Sequence, residues 1–528
     1  MPRISLRGHN PIRWSWRSSI WLLAAFAVGR ASHFLPLFPP SIQDPGPPAT
    51  EHVPPSPERI ILDPYSTSAK ALALAQSSLD AVLDRQSTTL DEAVARYSLK
   101  AARPPPPNFD QWFLFAQKNK CLIDDYDQIQ RDFEPFYQLA IDHPAYFQTM
   151  IEKGQAMILE ETAGLNRKQQ EAVGMTAIRI KDGELQMPPY SGTAFAKDLP
   201  YHLRKIAFLL PDVEFLLNGR DEPRVVFNSR ELGARARASS LEDSNPFHIT
   251  PYPTAEFFRN QSGCNLLSKT GFPHDESPNI AFLRSSSSSD FTTDLWPLLS
   301  MTKLSPCFSD ILFPGQYFYH ASRWSAKLPP TEIPWEDKKS QLYWRGSSNG
   351  GHIVGDNYHS FPRFRLVELG REHPELMNVK MTRFAEGHCK KDCDRDRVIA
   401  EYNITGPFSS RKETMEYKYV LDIDGNTFSG RFLNLLKSGS LVFKSTVFEE
   451  YFNDWIRPYE HYIPVKPDLS DLVEKVEWAI SHEGEARRIQ ETGKLFTQRV
   501  MTDEQNNCYF AAVLLEWARL QNYTETGL

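Results

Sequence analysis

The chain has 528 residues, of which 41% are hydrophobic, 24% charged and 12% aromatic, a composition typical of globular proteins. This composition excludes a fibrous or fully disordered chain, and the length suits two or three domains. A net charge of −7 without a long basic run argues against nucleic acid as a partner.

The amino terminus has the features of a targeting segment. Four arginines precede an apolar stretch at residues 20–29, which Arg30 interrupts. These arginines are Arg3, Arg7, Arg13 and Arg17. A membrane-spanning helix needs about 20 apolar residues without such a break. Two interpretations therefore remain open, a signal peptide cleaved near Ala31 or a signal anchor over residues 1–38, and both predict export of the rest of the chain.

Cysteine usage and glycosylation motifs agree with export. Six cysteines are scattered along the chain, at Cys121, Cys264, Cys307, Cys389, Cys393 and Cys508. An even number is expected of disulfides formed in an oxidising lumen. The His388-Cys389-x-x-x-Cys393 cluster also permits a zinc site, although no second pair of ligands lies near it in the sequence. Asparagines begin three N-x-S/T motifs, which accept glycans only in the secretory pathway, at Asn260, Asn403 and Asn522.

The first half of the chain divides into a stem and a domain. Residues 39–107 are rich in proline and contain one amphipathic pattern, which predicts a helix from 71 to 97. From residue 108 to 334 we expect an acceptor-side α/β domain. Its predicted elements are helices over 127–140, 143–163 and 203–210 and a buried strand over 213–217.

Residues 335–500 show a more regular alternation of short strands and helices. The predicted strands cover 341–344, 417–423, 440–443 and 461–465, and the predicted helices cover 361–369, 431–436 and a segment starting near Ser470. Such alternation is typical of a parallel sheet covered by helices. The last segment, 501–528, contains a helix that we expect to cross back onto the first domain. The sequence therefore predicts two α/β domains with a cleft between them.

Three of the predicted strands end in polar or small residues, and ligands bind beyond the carboxyl ends of parallel strands. These ends are residues 218–221, 345–351 and 424–431. In the second and third, small residues allow backbone N–H groups to approach a phosphate, and Arg345 and Arg431 can each bind two of its oxygens. The competing interpretation is that both arginines form structural ion pairs and the glycines only turn the chain.

Asp422-Ile-Asp424 is an Asp-x-Asp motif of the kind that holds a divalent ion, such as Mn²⁺, against a nucleotide diphosphate. Residues i and i+2 of a strand face the same side, so both aspartates are equally consistent with ordinary polar residues at a strand end. Because nearby arginines can neutralise a diphosphate, we expect that no metal is required.

A set of short segments occurs in one order along residues 200–515. They are Pro211–Glu214, Arg220-Asp221, Asp310–Pro314, Tyr343–Ser347, Tyr417–Tyr419, Ser429–Phe432, Gly439–Phe443 and His461–Lys466. This set resembles glycosyltransferase family 90, which contains capsule-associated fungal transferases and animal protein O-glucosyltransferases. Residues 109–137 are similar to the fungal branch, to which β-1,2-xylosyltransferases belong.

The resemblance implies an inverting transferase of the B-type fold, with two Rossmann-like domains and a UDP-sugar as the donor. Asp221 falls on the position of the family's catalytic aspartate. The alternative interpretation is that Asp221 is a capping or turn residue beside Pro223. The residues expected at the donor diphosphate are Arg345, Gly346, Ser347, Ser429, Gly430 and Arg431. The animal members lack the two aspartates of the Asp-x-Asp motif and work without metal, so the resemblance implies no required cofactor.

We expect the transfer of xylose from UDP-xylose to a hydroxyl of a glycan or glycolipid. The alternatives are a protein O-glucosyltransferase and a non-catalytic carbohydrate-binding or scaffolding protein with the same fold. The soluble animal members carry a carboxy-terminal retention signal, which this sequence lacks. We therefore expect a single-pass type II Golgi membrane protein with a lumenal catalytic domain, the alternatives being the lumen of the endoplasmic reticulum or secretion.

Overall fold

A computed structural model of the chain describes residues 68–164, 174–187, 199–230, 292, 294–320, 333–390, 392–406 and 411–523. The expected targeting segment, residues 1–38, lies outside these ranges, as do Asn260 and Cys264. Among the helices within these ranges, none is long and apolar enough to cross a membrane.

The described residues up to 320 form a helical layer and a first sheet. The helices are α1 (Ser68–Asp84), α2 (Leu90–Ala101), α3 (Phe109–Lys118), α4 (Asp127–Ala140), α5 (Tyr146–Thr162) and α6 (Leu199–Leu203). The strands are β1 (Met175–Lys181), β2 (Glu184–Gln186), β3 (Val213–Asn218), β4 (Leu299–Ser300) and β5 (Ile311–Leu312). The sheet has the order β2-β1-β3-β4-β5. β1 is antiparallel to β2 and β3, whereas β3, β4 and β5 are parallel.

The β1–β2 hairpin is absent from the sequence-based prediction, although its signal is present. Asp182 and Gly183 join the two strands and have φ angles of 52° and 73°. An Asp-Gly pair is a preferred two-residue hairpin turn because its backbone twist matches that of the strands. This hairpin makes the first sheet mixed, rather than the Rossmann-like parallel sheet that the resemblance implied.

The second sheet is formed by the described residues from 333 onward. Its strands are β6 (Lys339–Ser347), β7 (Met377–Arg383), β8 (Tyr417–Ile423), β9 (Leu441–Ser445) and β10 (Ile463–Val465). The helices of this part are α7 (Pro362–Glu372), α8 (Arg395–Glu401), α9 (Arg411–Thr414), α10 (Phe432–Leu436), α11 (Leu472–Ser481), α12 (Glu483–Val500) and α13 (Asp503–Gln521). The strand order is β10-β9-β8-β6-β7, and every neighbouring pair is parallel. The edge strand β7 was not predicted, because its sequence is polar and few of its residues are buried.

Part of the predicted stem, residues 68–101, is folded onto the body. Instead of one helix over 71–97, the chain forms α1 and α2, because Thr89 begins α2 with a capping box to Glu92. α1 packs against α12, and α2 packs against α3. The folded body therefore begins before the expected boundary at residue 108.

The carboxy-terminal helix α13 crosses back to the first sheet, as predicted. It packs against α3, α4 and β3, and 15 of its 19 residues are buried. The indole Nε1 of Trp517 donates to the backbone carbonyl of Glu214 in β3 at 2.8 Å, and a disulfide joins Cys508 to Cys121. The α/β class with two sheets and a returning terminal helix is thereby confirmed.

The cysteines of the His388–Cys393 cluster are joined to each other. Cys389 and Cys393 form a disulfide, and Cys307 is also disulfide-bonded. Zinc binds cysteine as the thiolate, so this pair, joined as a disulfide, supports the expected crosslink rather than a zinc site. The crosslinks agree with folding in an oxidising compartment.

Candidate active site

The second sheet has a topological switch point between β6 and β8. β7 lies on one side of β6, whereas β8, β9 and β10 extend on the other side. In open parallel sheets, ligands bind at the carboxyl ends of the strands where the strand order reverses. The loops that leave β6 and β8 at this point are residues 348–356 and 424–431. The second of these carries the Ser429-Gly430-Arg431 segment, which we call the donor loop.

Arg431 offers an unused hydrogen-bond donor at the switch point. Its Nη1 donates to the backbone carbonyl of Arg345 at 3.0 Å. Its Nη2 is buried, and no described residue accepts a hydrogen bond from it. Burial lowers the pKa of the Arg431 guanidinium below its ordinary value. A buried N–H group without an acceptor costs free energy, so this side chain is suited to an anionic ligand that supplies one.

Arg363, which the sequence-based prediction missed, ties the two loops together. Its guanidinium donates to the backbone carbonyls of Asp424 at 2.8 Å and Ser347 at 3.0 Å. Burial and the nearby charge of Arg431 lower the pKa of Arg363 to about 9. Two guanidinium groups thus lie at the switch point, together with the carboxylates of Asp422 and Asp424. A sequence signal existed, because Pro362 is typical of the first helical position and places Arg363 in the first turn of α7.

The guanidinium of Arg345 is engaged with β7. It donates to the backbone carbonyl of Asn378 at 2.8 Å and to its side-chain oxygen at 2.7 Å, and it lies 4.5 Å over the ring of Tyr343. The reason is that β6 continues to Ser347 instead of ending at residue 344, so Arg345 is a strand residue on a face of the sheet. Its contact with the diphosphate stays a prediction from the resemblance.

Gly346 and Ser347 shape the loop that follows β6. A Cβ atom on Gly346 would collide with the indole ring of Trp344, so this glycine leaves room for the tryptophan. The Ser347 hydroxyl hydrogen-bonds the side chain of Asn349, and the Ser347 carbonyl accepts from Arg363.

Tyr317 connects the donor loop with the first half of the chain. A Cβ atom on Gly430 would lie 2.7 Å from the Tyr317 ring, so the close approach of the two residues requires glycine. The Tyr317 ring also meets Phe428 edge-on, with the ring centroids 5.6 Å apart. The Tyr317 hydroxyl in turn donates to Asp221 Oδ1 at 3.2 Å. One residue therefore touches both the predicted catalytic aspartate and the donor loop.

Asp221 has the environment of a general base. It follows β3, and burial raises its pKa to about 6. Burial and the charge of Asp221 also raise the pKa of the neighbouring Glu222 to about 7. With a pKa of about 6, the carboxylate of Asp221 is a better proton acceptor than an ordinary aspartate and is still mostly ionised at neutral pH.

The turn that carries Asp221 is fixed by side chains on both sides. Asn218 Nδ2 donates to the carbonyl of Glu222 at 2.7 Å, and Asn218 Oδ1 accepts from the backbone of Arg220 at 2.9 Å. The carboxylate of Asp310 accepts the backbone N–H groups of residues 224–225, both at 2.9 Å. The Asp310 segment, part of the family resemblance, thus holds the chain that follows Asp221.

The Asp-x-Asp motif is paired within the fold. Asp422 accepts from the Ser429 hydroxyl and lies 3.5 Å from Lys444 Nζ. Asp424 Oδ2 accepts the backbone N–H of Val447 at 3.0 Å, and burial raises the pKa of Asp424 to about 7. Over the residues that the structure describes, no group of three or more His, Cys, Asp or Glu side chains is arranged to hold a metal ion. Mn²⁺ binding stays an expectation of the motif alone.

Comparison with known proteins agrees with the fold. Residues 281–527 match the profile of the family described as Glycosyl transferase family 90. Protein O-glucosyltransferase 3 of Homo sapiens is 28% identical over 189 residues, which are 36% of this chain and 34% of the relative. Protein O-glucosyltransferase 2 of Danio rerio is 29% identical over 191 residues, 35% of this chain and 34% of the relative. Protein O-glucosyltransferase 1 of Rattus norvegicus is 27% identical over 248 residues, 44% of this chain and 59% of the relative.

The α/β fold and these matches together support a glycosyltransferase. The match of residues 281–527 to the family 90 profile supports the family resemblance seen in the sequence. The alignments span about a third to three-fifths of the length of the curated relatives, and the resemblance to the fungal xylosyltransferase branch stays a prediction. Asp221 precedes the matched segment, so its assignment depends on the contact with Tyr317 and on the motif at residues 220–221.

Proposed function

We propose that the protein is an inverting glycosyltransferase that moves a sugar from a UDP-sugar to an acceptor hydroxyl. The observation that carries this proposal is the position of Tyr317, which donates to Asp221 and lies against Gly430 of the donor loop. A base and an anion-binding loop are thereby held next to each other. Transfer from a diphosphate leaving group to a hydroxyl needs both groups in one place.

In the proposed step, Asp221 accepts the proton of the acceptor hydroxyl while that oxygen attacks the anomeric carbon of the donor. The bond from this carbon to the diphosphate oxygen breaks, UDP leaves with the electron pair, and the configuration at the carbon inverts. The Tyr317 hydroxyl donates to Oδ1 of Asp221, so in this mechanism Oδ2 is the oxygen that accepts the proton from the acceptor hydroxyl. A positioned general base typically contributes about 10²–10⁴-fold to the rate.

The departing diphosphate is stabilised by the positive groups of the switch point. Arg431 Nη2 donates no hydrogen bond to any described residue, and in this mechanism it donates to a diphosphate oxygen. Arg363 adds a second positive charge beside it. Charges that are already fixed in place stabilise a growing negative charge without reorganisation. The resemblance adds Arg345, whose guanidinium has to leave Asn378 in order to reach the diphosphate.

Two observations bear on the sugar and point in different directions. The names of the relatives favour glucose as the sugar and a protein as the acceptor. The resemblance of residues 109–137 to the fungal branch favours xylose and a glycan or glycolipid acceptor. Xylose lacks the hydroxymethyl group of glucose, and a difference of this size in a pocket is worth about 1–3 kcal/mol. One or two side chains therefore decide the donor.

The decisive experiment is a screen of UDP release by the purified protein. UDP-glucose, UDP-xylose, UDP-galactose and UDP-glucuronic acid are tested side by side, with UDP binding measured by calorimetry. We expect release from UDP-glucose or UDP-xylose well above that from the other two donors. UDP binding without release from any donor would favour the non-catalytic carbohydrate-binding alternative, and no UDP binding would refute the proposal.

We further propose the lumen of the secretory pathway as the location. The Cys121–Cys508 and Cys389–Cys393 disulfides support an oxidising compartment. A type II Golgi anchor within residues 1–38 and residence in the endoplasmic reticulum are the two alternatives. Immunofluorescence together with the endoglycosidase H sensitivity of the glycans distinguishes them, since resistance requires passage through the Golgi.

A further inference from the structure

Lys444 is a buried lysine directly behind the donor loop, and the mechanism above does not use it. It belongs to β9 and is the register partner of Asp422 in β8. Its side chain is 5% exposed, with Nζ 3.1 Å from Glu450 Oε2 and 3.5 Å from Asp422 Oδ2. A lysine is almost never found at this depth unless its charge is paired.

Two contacts connect Lys444 to the segment around Arg431. Asp422, which pairs with Lys444, accepts a hydrogen bond from the Ser429 hydroxyl. Lys444 Nζ also lies 3.9 Å from the centre of the Phe432 ring. Ser429 and Phe432 are on either side of Arg431 in the sequence. The residues close to Arg431 on both sides are therefore in contact with Lys444 or with its partner Asp422.

Within the sheet, the Lys444 ammonium lies among the carboxylates of Asp422, Asp424 and Glu450. The charges of Arg363 and Arg431 also interact with Asp422. Burial by itself lowers the pKa of Lys444, but Glu450 and Asp422 raise it above the ordinary value, so the lysine is charged. Burial raises the pKa of Glu450 to about 7. The ammonium is thus the paired positive charge within the sheet beside the carboxylate of Asp422, which accepts from Ser429.

We propose that Lys444 is a positioning residue that takes the place of a divalent cation in the Asp-x-Asp motif. Its ammonium pairs with Asp422 from within the sheet, Asp422 fixes Ser429, and the donor loop then holds Arg431 toward the diphosphate. Lys444 itself does not touch the donor. Because the single O–H of Ser429 is given to Asp422, Ser429 serves the diphosphate by ordering the loop rather than by donating its hydroxyl.

The test compares Lys444→Met with the matched variant Lys338→Met in the full-length protein. Lys338 is also buried, but it lies before β6, at the amino ends of the strands, where its Nζ donates to the carbonyl of Met415 at 2.6 Å. Each substitution removes one buried ammonium, so both are expected to lower the melting temperature. The two readouts are the amide hydrogen exchange of residues 424–432 without ligand and the Kd of UDP.

We expect faster exchange in the donor loop for Lys444→Met and not for Lys338→Met. UDP binding by Lys444→Met weakens at least about tenfold, because the binding-competent loop then becomes a minor population. The double variant Asp422→Asn, Lys444→Met removes both charges and keeps an acceptor for Ser429. Its UDP affinity is expected to lie within about threefold of that of the wild type. Such a recovery is non-additive, which is expected when Asp422 and Lys444 act on each other and not when Lys444→Met only destabilises the fold.

Unchanged loop exchange and unchanged UDP affinity in Lys444→Met would overturn the proposal. A double variant as weak as Lys444→Met would do the same, since Lys444 would then not act through Asp422. If Lys444→Met does not fold, Ser429→Ala removes the tether without burying a charge and must show the same loop exchange and loss of affinity. The affinity readout depends on the proposed UDP-sugar donor: a wild-type protein that does not bind UDP refutes that function, while the exchange comparison still decides the role of Lys444.

Discussion

The two sheets fix their site residues in different ways. On the second sheet, the Ser429 end of the donor loop is held by contacts that are close in the sequence or in register: Ser429 and its acceptor Asp422 are 7 residues apart, and Asp422 and Lys444 are directly paired across β8 and β9. On the first sheet, Asp221 depends on Tyr317, which is 96 residues away. The parallel sheet thus orders the proposed anion site through neighbouring strands, whereas the carboxylate of the proposed base is hydrogen-bonded by a residue from a distant segment.

The two sides also differ in charge. Asp221 and Glu222 have pKa values raised by burial on the acceptor side, whereas Arg363 and Arg431 bring positive charge to the donor side. A raised pKa suits proton acceptance, and buried guanidinium groups suit diphosphate binding. Changes on the acceptor side should therefore lower the transfer rate, and changes on the donor side should weaken UDP binding as well.

The largest effect is expected for Asp221→Asn. Asparagine has nearly the same shape but does not accept a proton at neutral pH, so transfer should fall at least about a hundredfold. The Kd of UDP should stay near the wild-type value, because Asp221 is on the acceptor side. The measurements are the steady-state transfer rate and the Kd of UDP by calorimetry. The control is Asp212→Asn, which changes an aspartate directly before the first residue of β3. Near-normal transfer by Asp221→Asn would remove it from the mechanism and make Glu222 the candidate base.

Arg431→Met is expected to have the next largest effect. Loss of a hydrogen bond to a charged group costs about 1.5–3 kcal/mol, so UDP should bind roughly ten- to a hundredfold more weakly. Transfer falls too, since the same contact stabilises the leaving group. The affinity is measured by calorimetry. The control is Arg371→Met, which removes an exposed arginine from α7, the helix that also carries Arg363.

The variant Arg345→Met shows whether both arginines of the second sheet contribute to UDP binding, because its loss of UDP affinity can be compared with that of Arg431→Met. A loss as large as that of Arg431→Met would show that the Arg345 guanidinium leaves Asn378 when the donor binds, as the resemblance implies. A much smaller loss would agree with the contacts of Arg345 in this structure. UDP affinity unaffected by Arg431→Met would place the diphosphate elsewhere.

Tyr317→Phe tests the connection between the two sides. Removing one hydrogen bond should slow transfer about tenfold, equivalent to about 1.4 kcal/mol. The hydrogen bond from Tyr317 lowers the pKa of Asp221, which burial raises to about 6. Wild-type kcat/KM should therefore rise with pH through about 6, and in Tyr317→Phe this acidic limb should move to higher pH. A profile identical to that of the wild type would show that Tyr317 does not act on the base.

The smallest effect is expected from chelation. Asp422 is paired with Lys444 and Ser429, and Asp424 caps the backbone of Val447, so activity should survive EDTA. The measurement is the transfer rate before and after chelation, with Mn²⁺ added back as the control. Activity that is lost with EDTA and restored by Mn²⁺ would identify Asp422 or Asp424 as a metal ligand and would contradict the role proposed for Lys444.

Local elements were predictable because their signals lie within a few residues. The predicted helix 127–140 and strand 417–423 agree with α4 and β8 at both ends, since each is marked by its own apolar periodicity. The β1–β2 hairpin had a comparable signal in Asp182-Gly183 and was overlooked. The end of β6 was different, because pairing with β7 extends the strand through Arg345 and turns that side chain onto a face of the sheet.

The sequence by itself determined the alternation of strands and helices, the resemblance to a transferase family and the candidates Asp221 and Arg431. The tertiary structure alone decided which charges meet. It placed Lys444 against Asp422, brought Arg363 to the switch point and set Tyr317 between the two sides. The physical reason is that periodicity and turn residues act over a few positions, whereas the pairing of buried charges depends on strand register and on the packing of segments far apart in the chain.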